Sequence, residues 1–147
     1  MFVNQLLSEA QKRLITIRAE ALLVDAARVL AGRHAELVVV CESNGKAVGV
    51  ITKADVVRRI TNCQGAACRA SVAAAMTQQL ISCRCGDSLN SVWSKMKQHG
   101  VRHIPIIDDQ ARPLGIIDAR DALQALLIDA ADELQLLRDY VMNVGYQ

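Results

Sequence analysis

An internal repeat constrains this chain more than any other feature. Residues 14–57 align with residues 80–123 without a gap, at an offset of 66. Leu14, Ile15, Arg18, Leu23, Gly49, Ile51 and Asp55 meet identical residues, and the apolar pattern persists where identity does not. Such a period marks one structural unit used twice. Each copy opens on a short apolar run: Leu14, Ile15, Thr16, Ile17 in the first, and Leu80, Ile81, Ser82, Cys83 in the second. A helical spacing follows, carried by Leu22, Leu23, Ala26, Ala27 and Leu30, and by Leu89, Val92, Trp93 and Met96. In the second copy Asp87 suits the N-cap and Gly100 the stop. Two strands then flank a turn, 37–41 with 47–51 and 103–107 with 114–117, and Asn44-Gly45 is a strong turn signal. A second helix begins near Lys53 and near Ala119. The order is β-α-β-β-α, twice, an α/β (α+β) fold whose apolar strands need helices over at least one face.

The expected organisation is an N-terminal helix over 1–13, repeat one over 14–62, a linker and lead-in helix over 63–79, repeat two over 80–128, and a C-terminal helical extension over 129–147. Gly65 and small polar residues mark the linker. Along the last helix Leu123, Leu127, Ala130, Leu134, Leu137 and Val141 alternate steps of four and three, a heptad-like seam. It suits packing on its own module or on a second subunit.

Composition narrows the function. With 147 residues the chain can bury a core without staples, and 52% hydrophobic against 22% charged residues makes it globular. A net charge of +2 and 3% aromatics argue against a nucleic-acid binder. Five cysteines, Cys41, Cys63, Cys68, Cys83 and Cys85, an odd number with no leader pattern, argue for free thiols and a reducing cytoplasm. No run is long and apolar enough to span a bilayer. Cys83 and Cys85 are spaced wrongly for zinc and would point to opposite faces of a strand, so no metal is expected. Phosphate-loop, nucleophile-elbow and His-Glu-x-x-His patterns are missing, which argues against an enzyme.

The motifs resemble those of the CBS domain (cystathionine-β-synthase domain). Gly49-Val50-Ile51-Thr52-Lys53-Ala54-Asp55-Val56-Val57 resembles its closing signature: glycine, two apolar residues, Thr or Ser, any two, Asp, then apolar. Val72-Ala73-Ala74-Ala75-Met76-Thr77 resembles the lead-in, and Val101-Arg102-His103-Ile104-Pro105-Ile106-Ile107-Asp108 the middle strand. The resemblance covers residues 14–126. It implies a pseudo-twofold pair, or Bateman module, that dimerises and has a regulatory rather than catalytic role; the expected target is a separate protein regulated in trans. It also implies two clefts that often bind AMP, ADP, ATP, NAD(H) or S-adenosylmethionine.

What the resemblance implies for the clefts can be assigned residue by residue. Cleft A takes Thr52, Lys53 and Asp55 from copy one and Gln79, Leu80, Ile81, Arg102 and His103 from copy two. Thr52 faces phosphate at a helix N-terminus, Asp55 holds the ribose, and Arg102 with His103 neutralises phosphate. Cleft B takes Asp118, Ala119 and Asp121 from copy two and Arg13, Leu14, Ile15, Glu36 and Leu37 from copy one. Asp118 stands where the family has Thr or Ser, and Glu36 where it has a base. Three carboxylates would repel phosphate, so the expectation is an adenine nucleotide in cleft A, with cleft B empty or holding a neutral or cationic group.

Plainer readings stand beside these. Thr52 and Asp118 suit simple N-caps, and Asp55 and Asp121 suit first-turn acids. Arg102 and His103 suit a solvated strand entry. The competing function is a structural dimerisation module with no nucleotide ligand.

Overall fold

Strand pairing follows the repeat. In this computed structural model, which describes residues 1–32, 35–62 and 69–145, β1 (Thr16–Arg18), β2 (Leu37–Cys41) and β3 (Ala47–Thr52) form one sheet in the order β1-β2-β3. β1 runs parallel to β2, and β2 antiparallel to β3. The second sheet pairs β4 (His103–Ile107) with β5 (Pro113–Asp118), antiparallel. Helices α2 (Leu23–Gly32) and α3 (Lys53–Asn62) complete copy one. Helices α5 (Leu89–His99) and α6 (Ala119–Gly145) complete copy two. The N-terminal helix is a 3-10 turn, Val3–Leu6, running into α1 (Leu7–Arg13). The lead-in to copy two is α4 (Val72–Ala75). Cys63, Cys68 and the linker glycine Gly65 lie outside the described residues.

Three local expectations need correction. The strand expected over 80–83 is reduced to a single parallel bridge, Cys83 to Ile106. In copy one the Val39 N–H donates to the Ile15 carbonyl at 2.9 Å. Its counterpart 66 residues on is Pro105, which has no N–H to give to Ile81. Only Cys83 N–H to Pro105 O (3.0 Å) and Ile107 N–H to Cys83 O (2.9 Å) remain. β1 itself begins at Thr16 rather than Leu14. The cap of α5 is Ser88, whose hydroxyl accepts from Ser91 N–H, while Asp87 turns back to accept from Arg84 N–H at 2.9 Å. Gly100 ends α5 in the left-handed region at φ 63°.

The two copies are interlocked through their lead-ins. Val3 and Ala10, which precede copy one, lie in the core of copy two with Leu89, Val92, Ile104 and Ile117. Val72, which precedes copy two, lies in the core of copy one with Leu23, Val38 and Ile51. Glycine makes each crossing possible. A Cβ on Gly115 would stand 2.8 Å from the Ala10 backbone, and one on Gly49 2.6 Å from the Thr77 carbonyl and 2.9 Å from Met76 Sδ. Ala10 and Met76 are themselves 66 residues apart, so one contact is made twice. The helices that open the copies are clasped likewise: Leu23 N–H donates to Ala70 O (2.8 Å) and Leu89 N–H to Met1 O (3.0 Å). Val39, Cys41 and Ile116 close a third cluster between the sheets.

Burial pushes the Cys83 thiol up to about 12, so it behaves as a packed apolar group. Among the described residues no helix is long and apolar enough to cross a membrane. None of their His, Cys, Asp and Glu side chains gather in threes as metal ligands.

Candidate functional site

The four-residue turn that closes each copy folds differently in the two. In copy one Thr52 caps α3. The Asp55 carboxylate accepts from Thr52 N–H (3.0 Å) and Thr52 Oγ1 (3.1 Å), while Thr52 Oγ1 receives Asp55 N–H at 3.4 Å. The other oxygen of Asp55 accepts from Thr77 Oγ1 (3.0 Å) and Arg58 Nη1 (3.1 Å). With four donors on it, this carboxylate is 5% exposed. It ties α3 to the crossing lead-in, a structural role in which its acceptor positions are already used. Sequence reasoning places Thr77 in the lead-in but not beside Asp55, because no local pattern records a contact between residues 22 apart.

In copy two the same positions are open. Asp118 caps α6 by accepting from Arg120 N–H at 2.7 Å. Asp121, the counterpart of Asp55, reaches across to copy one, where Arg13 donates to it from Nη2 at 2.7 Å and from Nε at 3.2 Å. Arg13 also stands 3.8 Å from Asp118. The bond to Asp121 holds the guanidinium pKa above its ordinary value. For Asp118, desolvation acts to raise the pKa. The Arg120 N–H, His103 and Arg13 outweigh it, and the carboxyl titrates below the usual range.

Arg102 and His103 require a correction. Assigned above to cleft A, they stand with Asp118. The reason is hairpin register: His103 pairs with Asp118 across β4 and β5, as Leu37 pairs with Thr52 across β2 and β3. The entry of a middle strand therefore neighbours the closing turn of its own copy. His103 Nε2 is 3.2 Å from Asp118 Oδ2, and its Nδ1 is 3.7 Å from Glu36 of copy one. Glu36 thus sits on the boundary between the copies. The Arg102 carbonyl accepts from Ala119 N–H at 2.8 Å.

A cavity of about 320 Å³ opens beside these groups, lined by Lys12, Arg13, Leu14, Ile15, Ala35, Glu36, Leu37, His103 and Ile116. A second, of about 230 Å³, shares Glu36 and His103 with it and adds Arg102, Asp118, Ala119 and Arg120. Together they form cleft B. Of its three carboxylates, Asp121 is paired with Arg13, which also stands 3.8 Å from Asp118, and His103 lies between Asp118 and Glu36. Lys12, Arg102 and Arg120 add positive charge to the lining and offset the expected repulsion. The floor from Leu14, Ile15, Leu37 and Ile116 is apolar. Of the cleft A residues, Lys53 and Gln79 are exposed, and Leu80 and Ile81 lie half-buried in irregular chain.

The CBS domain family model matches residues 5–62 and 71–128. A CBS-domain containing protein of Agrobacterium tumefaciens superposes with a TM-score of 0.74 at 26% identity, over 85% of this chain and 98% of that one. A CBS domain pair solved in complex with 5′-methylthioadenosine and S-adenosyl-L-methionine superposes with a TM-score of 0.72 at 21% identity, over 88% of this chain and 98% of that one. An L-aspartate semialdehyde sulfurtransferase of Methanocaldococcus jannaschii is 24% identical over 107 residues, which is 73% of this chain. The chain spans 20% of the length of that enzyme.

Proposed function

The chain belongs to the CBS-domain family, with two copies of the domain, and from that premise we propose that it is a regulatory module binding an adenine nucleotide in cleft B. The observation that carries this reading is the cavity of about 320 Å³ between Arg13, Leu14 and Ile15 of one copy and His103 and Ile116 of the other. That volume is at the lower end of small-ligand sites, and an apolar floor with a few charged groups is their usual chemistry. The adenine ring lies on Leu14, Ile15 and Ile116. The ribose hydroxyls donate to Asp121, displacing Arg13, whose guanidinium then turns to phosphate with Lys12 and Arg102. The ligand so replaces one contact between the copies with a bridge through itself. It shifts their relative arrangement only as far as it prefers one arrangement over the other.

The adenosine-containing ligands of the structurally similar CBS pair support the ligand class. They do not fix the phosphate count, so AMP, ADP, ATP, NAD(H) and S-adenosylmethionine are all candidates. Calorimetric titration with these and with adenosine tests the reading. Asp121→Ala should weaken binding by about 1.5–3 kcal/mol, the range for a hydrogen bond to a charged group. Arg102→Ala should weaken AMP more than adenosine. If no ligand binds, or if Asp121→Ala leaves affinity unchanged, cleft B is not the site, and absence of any ligand favours a structural dimerisation module.

A further inference from the structure

We propose that the outer half of α6 pairs with the same segment of a second copy as a short parallel coiled coil, flanked on both sides by ion pairs between Glu133 and Arg138. This inference stands apart from the ligand reading. Helix α6 is seated in its own module only through its first turns, where Ala122 and Ala125 are buried and Leu126 packs on the same core. Beyond that the helix continues to Gly145, roughly 28 Å at 1.5 Å per residue. Every residue from Ala130 to Asn143 is exposed. Leu134 is 50%, Leu137 61% and Val141 65% exposed, and Leu127, nearer the module, is 62%. A helix that projects this far with so much leucine in water presents an apolar stripe of the kind that marks an interaction surface.

The seam is therefore not used within the chain. Leu127, Leu134 and Val141 take the a positions of a heptad, and Leu123, Ala130 and Leu137 the d positions. In this frame Glu133 is at g and Arg138 at the following e. Those two positions face each other across a parallel, in-register pair, so the twofold axis makes the attraction twice. An antiparallel pair centred between Ala130 and Leu134 instead brings the two Glu133 carboxylates together. Charge complementarity selects a second copy as the occupant and selects its direction.

Sedimentation equilibrium of the full chain tests this. The expected result is a dimer at micromolar concentration that Leu134→Asp with Leu137→Asp converts to a monomer. Glu133→Arg and Arg138→Glu should each weaken self-association by about tenfold, since each replaces two attractions by two repulsions. Mixing the two variants should restore it, because every cross-chain pair is then of opposite sign. Both charged positions are exposed, so these variants leave the module folded. A monomeric wild-type chain, which would leave the seam for a different protein, overturns the proposal. So does a dimer indifferent to the leucine changes, or a mixture no tighter than either variant alone.

Discussion

Asp55 and Asp121 hold one position in two copies of a motif and do different work. Around Asp55 the donors come from Thr52, Thr77 and Arg58, and the carboxylate is sealed. At Asp121 the helix cap is an aspartate that cannot donate, so the carboxylate turns to Arg13 at the edge of a cavity. The variants separate these roles. Asp55→Ala strips two hydroxyls and an N–H of their acceptor and should cost about 2–3 kcal/mol of stability, read as a lower urea midpoint. Ligand affinity measured on the folded fraction should be unchanged. An Asp55→Ala protein as stable as the wild type, with weakened binding, would reverse the assignment of the two carboxylates.

At the scale of elements, the decisive contacts are those of the lead-ins. Neither Gly49 nor Gly115 needs a left-handed backbone; each is glycine because another segment's backbone lies where a Cβ would be. Gly49→Ala and Gly115→Ala should each destabilise by about 1–3 kcal/mol, the usual cost of overpacking, in the same denaturation measurement. Equal stability would mean that α1 or the segment after α4 is free to move away. Pro105 is the other element-level determinant. Its missing N–H removes the bond that Val39 makes, and the first strand of copy two shrinks to a bridge. That outcome was readable from the 66-residue alignment, since Pro105 falls opposite Val39.

The whole molecule is two copies that complete each other's cores. Removing residues 1–13 should therefore damage the distant copy. Val3 and Ala10 leave the core that holds Leu89, Val92 and Ile104, so hydrogen exchange should accelerate in α5, β4 and β5 before β2 and β3. Faster exchange confined to the adjoining copy would show that the crossing does not hold. The same crossing brings Arg13 to Asp121, so the lead-in that completes the core of copy two also supplies a wall of cleft B.

The repeat, the two hairpins, the helix that begins at Lys53 and the one that begins at Ala119 were legible in the sequence, because each rests on short-range patterns: apolar spacing, the Asn44-Gly45 turn, Gly100 at a helix end. The grouping of these residues was legible in part: Arg13, Leu14 and Ile15 line one cavity and Asp118 the adjoining one, while the register of β4 on β5 puts His103 and Arg102 beside Asp118 rather than across from Thr52. Tertiary structure alone decided which lead-in enters which core, that four donors seal Asp55, and that Arg13 and His103 reach the acids of cleft B. These depend on contacts between residues far apart in sequence, such as Arg13 with Asp121 and Thr77 with Asp55, where packing sets the partner and no local pattern records it.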